Sequence, residues 1–84
     1  MKVILTEGNL KFGMNDQKTR YYITDGGEQV ADFGIGMNTY HLNEHAAFDD
    51  VQDKDALMKL IARAFLILSD KFRTSDPKVI EPTY

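Results

Sequence analysis

The sequence predicts an α+β domain: an antiparallel three- or four-stranded β-meander followed by one long C-terminal α-helix packed on the sheet. Three observations carry that expectation. The first half alternates short β-branched and aromatic runs with turns rich in Gly, Asn and Asp. Residues 56–72 contain no Gly or Pro and repeat apolar side chains at helical spacing. A chain of 84 residues leaves room for one core. Residues 1–73 are therefore read as the domain and 74–84 as a tail or arm, because Pro77 and Pro82 cannot continue a helix.

The expected strands are residues 2–6, 10–14, 18–24 and 29–35, separated by Glu7-Gly8-Asn9, Asn15-Asp16-Gln17 and Asp25-Gly26-Gly27. A two-residue Gly26-Gly27 loop sets Tyr21 opposite Asp32 and mixes charge into an apolar face. A three-residue loop, Asp25-Gly26-Gly27, instead gathers Thr19, Tyr21 and Ile23 with Ala31 and Phe33 on one face, and pairs Arg20 with Asp32 and Tyr22 with Val30 on the other. That register is preferred, and it places Ile4, Tyr22 and Val30 on the face away from the helix. Residues 36–52 show no clear period. A short helix or turn over 43–51 that docks Phe48 is the expectation there.

From Asp53 the pattern is plain. Asp53 can cap the helix, Asp55 suits its first turn, and Leu57, Met58, Leu60, Ile61, Ala64, Phe65, Ile67, Leu68 and Phe72 fill an arc of roughly 180 degrees. Lys71 is the charge within that arc, while Leu66 stands alone in the polar face.

The net charge of -3 hides an asymmetry. Residues 25–58 hold eight acidic side chains against Lys54 alone, and the segments on either side are each net positive. Such a block repels phosphates and attracts basic protein surfaces. The absence of cysteine excludes disulfides and thiolate metal sites and fits a reducing compartment, so a cytoplasmic location is expected. The longest apolar run, residues 64–68, falls far short of the roughly 20 residues of a membrane span, and the start MKVILTEG turns polar too early for a signal peptide.

The sharpest chemical motif is His41-Leu42-Asn43-Glu44-His45, which matches the H-x-x-E-H pattern of the inverted zinc peptidases. On a helix its histidines would share a face, with Glu44 as base and Asp49, Asp50 or Asp53 as further ligands. The simpler reading is a pair of surface histidines, with no metal and no cofactor. Asp32-Phe33-Gly34 spells the kinase magnesium motif without a phosphate loop or catalytic loop, so Phe33 is read as core and Gly34 as a bend or bulge shared with Gly36. Lys11, Lys18 and Arg20 beside Tyr21 and Tyr22 suggest a basic, aromatic sheet face, which is the case for a nucleic-acid-binding domain.

No catalytic constellation emerges. The function expected from sequence is a small acidic protein-interaction module, homodimeric, that regulates or inhibits a partner macromolecule with a basic surface and performs no catalysis of its own. In kind it is similar to accessory proteins of phages and mobile elements. The residues expected to bind the partner are Tyr22, Asp49, Asp50, Asp53 and Leu66. A nucleic-acid-binding domain is the alternative, with nucleic acid disfavoured by the acidic block, and a metal-dependent enzyme built on His41 and His45 comes third.

Overall fold

The computed structural model describes residues 1–17, 19–36 and 39–75, the side chains of Gly36, Thr39 and residues 71–75 excepted. Lys18 and the expected tail from residue 76 onward lie outside the described residues. The chain forms β1 (Lys2–Glu7), β2 (Leu10–Met14), β3 (Tyr21–Asp25), β4 (Glu28–Gly36), β5 (Thr39–Glu44), a 3-10 turn (Ala46–Asp50) and α1 (Lys54–Ser75). All five strands pair antiparallel in chain order, and α1 packs on one face. The expected meander and helix are present with one strand more than expected. β5 occupies part of the stretch that showed no period, and the 3-10 turn after it buries Phe48 as expected.

The β3–β4 turn corrects the preferred register. It is the two-residue loop Gly26-Gly27, with φ of 60° and 95°, a conformation that glycine adopts without penalty. Asp25 pairs with Glu28 and Thr24 with Gln29, but Ile23 pairs with Ala31, leaving Val30 as an extra, bulged residue. The bulge returns Tyr21 and Ile23 to the same face as Phe33 and Ala31, so the expected apolar face survives although the expected register does not; Tyr22 meets Asp32 instead of Val30, while Arg20 still reaches Asp32 as an ion pair. Thr19 lies outside β3, in a loop held by Asn15. The Asn15 Oδ1 accepts from the Thr19 and Arg20 backbone N–H groups at 2.8 and 3.0 Å.

A second bulge inserts Ile4 between the pairs Val3–Gly13 and Leu5–Phe12. Together the two bulges overturn the expected placement of Ile4 and Val30. Both turn toward α1: Ile4 packs on the core beside Leu5, and Val30 is buried in it beside Ala31. Gly34 is also corrected. β4 runs straight through it, paired to His41, and no register shift occurs there.

The core lies between this sheet face and α1. Phe12 is its centre, stacked on Tyr21 and edge-on to Phe33, which in turn meets Phe65 of α1 edge-on. Leu57, Leu60, Ile61, Ala64 and Leu68 are buried from the helix side. The Asp53 Oδ1 accepts from the Ala56 N–H at 3.0 Å, the cap read from sequence. Lys54 ties the preceding turn to the helix, its ammonium donating to the Phe48 and Asp49 carbonyls at 3.0 and 2.9 Å. Three members of the expected arc differ. Phe65 and Ile67 are half-buried, and Met58 is 52% exposed. The buried stripe is therefore narrower than 180 degrees.

Candidate functional site

With α1 covering one face, the alternation of each strand assembles the other, outer face in rows. One row crosses all five strands: Val3, Gly13, Tyr22, Asp32 and Asn43. The next, Thr6, Lys11, Thr24 and Gln29, crosses four. Between the β1–β2 and β3–β4 turns this face opens into a groove of about 670 Å³, lined by Met1, Val3, Lys11, Tyr22, Thr24 and Gln29. Lys11 is the charged side chain lining it.

Across β3, β4 and β5 the same face carries a polar cluster centred on Asp32. Arg20 forms an ion pair with its Oδ2, and the His45 Nε2 stands 3.7 Å from Oδ1. Burial pushes the Asp32 carboxyl up, but hydrogen bonds from Asn43 and Arg20 and the charges of Arg20 and His45 outweigh it, so its pKa lies below the ordinary value. A depressed carboxylate stabilises the fold above its unfolded pKa of about 3.9, and that contribution is lost as pH falls through the lower folded value. Asp32→Asn should cost about 1 kcal/mol at neutral pH, because the Arg20 side chain is 57% exposed and solvent screens the pair. It should also flatten the fall in stability below pH of about 4. Urea denaturation across that range is the measurement, and a variant with the parent's full acid dependence would remove Asp32 as its source.

His41 and His45 are not on a helix. His41 belongs to β5 and lies over Gly34, where an added Cβ would stand 2.5 Å from the His41 Nε2, and His45 follows the strand beside Asp32. The geometry that made the motif a candidate zinc site is absent, since i and i+4 stand about 6 Å apart on a helix but about 13 Å apart along a strand. Among the described residues no group of three or more His, Asp or Glu side chains is placed to hold a metal ion.

The five residues expected to bind a partner fall on three surfaces. Tyr22 lines the outer groove. Asp49, Asp50 and Asp53 sit where the 3-10 turn meets α1, with Asp53 serving as the cap. Beside them a smaller cleft of about 240 Å³ is lined by Glu7, Asp25 and Asp53. One end of the molecule is thus acidic, with Arg63 bonded to Glu7 at 3.0 Å and Lys54 engaged by backbone carbonyls. Leu66, 69% exposed, stands apart on the outer side of α1. The expected basic, aromatic face does not form as a unit. Tyr21 faces the core, Arg20 is paired with Asp32, and Lys18 lies outside the described residues.

Sequence reading placed Lys11 beside Tyr22 but missed Val3, Thr24 and Gln29 as its neighbours, because only strand pairing brings them together. It also missed Met58, which helical angle alone put at the margin of the core arc. No helix among the described residues is long and apolar enough to cross a membrane. No protein-family model matches the chain, and neither a curated protein nor a solved structure matches it.

Proposed function

We propose that this chain is a non-catalytic protein-interaction module that regulates or inhibits a partner macromolecule, seating an apolar, hydrogen-bonding segment of that partner in the outer groove while the partner's basic surface meets the acidic end. The observation that carries this reading is the groove around Tyr22, which lies on a sheet face that α1 does not cover. Its floor offers the Tyr22 ring and Val3 for apolar contact, and Thr24 and Gln29 for hydrogen bonds. The acidic end adjoins it through the turns at Gly8-Asn9 and Gly26-Gly27, which line the groove. Carboxylates at 7, 25, 28, 49, 50 and 53 attract a basic partner and raise its rate of encounter.

The test is affinity capture from the native host with the parent chain and two variants, Tyr22→Glu and the triple change of Asp49, Asp50 and Asp53 to Asn. A basic protein held by the parent, lost with Tyr22→Glu and bound more slowly by the triple variant supports the reading. Tyr22→Glu binding the same partner with unchanged affinity overturns it. A salt-dependent mobility shift with mixed-sequence oligonucleotides, abolished by Lys11→Glu, would transfer the groove to a nucleic-acid ligand.

A further inference from the structure

We infer that β5 is the contact between two copies of this chain, the strands pairing antiparallel, edge to edge, about a two-fold axis at Leu42, so that the two sheets become one. The groove contains no residue of β5, so this inference is independent of the proposed function and either can fail alone.

The two edges of the sheet are built differently. β1 is blunted: a bulge interrupts it between Val3 and Leu5, Lys2 is exposed on it, Glu7 is tied to Arg63, and the Met1 ammonium at its start is fixed to Asp16. β5 has none of these devices. It contains no Pro or Lys, and its ladder to β4 runs from the pair Ala31–Glu44 to Gly36–Thr39 without a bulge. The His45 N–H donates to the Val30 carbonyl at 2.9 Å, which fixes the phase of that ladder. Odd-numbered residues bond to β4, and Leu42 and Glu44 turn their N–H and C=O groups away from the sheet. Among the described residues those outward groups meet no hydrogen-bond partner.

A second copy of β5 fits this edge in one register. Outward groups must face outward groups, so even-numbered residues pair with even-numbered ones. Centred on Leu42, the two Leu42 residues exchange both hydrogen bonds, Glu44 stands level with the other copy's Tyr40, and residues 40–44 of each strand join the ladder. Centring on His41 opposes imidazole to imidazole and leaves Glu44 out. Centring on Asn43 sets Glu44 against Leu42 and Tyr40 against Ala46 of the 3-10 turn. Charge selects the direction: Glu44 is the carboxylate of β5, and its two copies stand about 14 Å apart, beyond the Debye length of about 8 Å, whereas a parallel pair in register sets them about 5 Å apart. Apolar contact agrees. Leu42 pairs with Phe33 on the helix side and packs on the core, yet it is half-buried because it sits on the edge, and a second Leu42 across the axis covers that flank. Such an isologous contact is self-complementary, as a two-fold axis requires.

The absence of native cysteine makes the register directly testable. Cα atoms of a hydrogen-bonded antiparallel pair stand about 5.5 Å apart, within disulfide range. Leu42→Cys should therefore oxidise to a covalent dimer far faster than Thr6→Cys, a control on the β1 edge. His41→Cys and Asn43→Cys should each fail to link to themselves and should link to one another when the two variants are mixed. The parent chain should sediment as a dimer at micromolar concentration, and its Leu42 amide should exchange slowly there and fast on dilution. Leu42→Pro removes an N–H that β4 does not use, so it should yield a monomer with an unchanged circular dichroism spectrum. A parent that remains monomeric, with a Leu42 amide that exchanges fast at every concentration, overturns the proposal. So does self-linking of His41→Cys or Asn43→Cys, which marks another register, or a dimer that Leu42→Pro leaves intact.

Discussion

Phe12→Ala should destabilise the domain by about 3 to 5 kcal/mol, the range for removing a large aromatic side chain from a core. The residue is fully buried, and its ring touches both aromatic neighbours that organise the sheet face, Tyr21 at 5.8 Å and Phe33 at 5.4 Å between centroids. Its loss leaves a cavity between β2 and α1 that the flanking strands cannot close, because Leu5 and Ile23 are fixed by pairing on either side. A small domain has a total stability of about 5 to 15 kcal/mol, so the variant should be at the edge of unfolding at room temperature. Chemical denaturation gives the result. A loss below about 1 kcal/mol would mean that Phe12 is not at the centre of the core.

Two glycines on the outer face should respond in opposite ways to the same change. At Gly13 an added Cβ would run into the Lys2 backbone carbonyl and lie 2.7 Å from the Met1 side chain, so β1 must move for alanine to fit. Gly13→Ala should cost about 1 to 3 kcal/mol, as overpacking does, and should loosen β1 first. At Gly34 the obstacles are the ends of the His41 and Asn43 side chains, both exposed, the first free to swing into solvent and the second, at 3.1 Å, needing to give by only a few tenths of an ångström. Gly34→Ala should therefore stay within about 0.5 kcal/mol of the parent. Amide exchange separates the cases: protection in β1 should collapse for Gly13→Ala alone, and equal behaviour of the two variants would contradict the strand packing described.

The candidate surfaces were legible only as fragments. Leu66 stood out because one apolar residue in a polar helical face is visible in any helical projection, and the structure leaves it exposed. Tyr22 was placed on the outer face correctly, yet the partners assigned to that face, Ile4 and Val30, belong to the core. The acidic block was evident as composition. That Glu7 and Asp25 join Asp53 around one cleft follows from how turns and strands meet in space, whereas the meeting of Asp32 with Arg20 was already read from the sequence. His41-Leu42-Asn43-Glu44-His45 shows the converse, a motif whose meaning depends on a helix that did not form.

By itself the sequence determined α1, its cap at Asp53, its buried residues Leu57, Leu60, Ile61, Ala64 and Leu68, and the sites of the two glycine turns. These are local properties: helical period, capping hydrogen bonds and the φ angles that glycine permits all act within a few residues. Tertiary structure decided the rest. β5 contains His41, Asn43 and Glu44, so no apolar run announces it, and it is a strand because β4 offers a ladder from Ala31 to Gly36. The bulges at Ile4 and Val30 have the same origin. A strand's side-chain period is two, so one extra residue changes which face every later side chain meets, and whether that residue is inserted depends on the strand across from it.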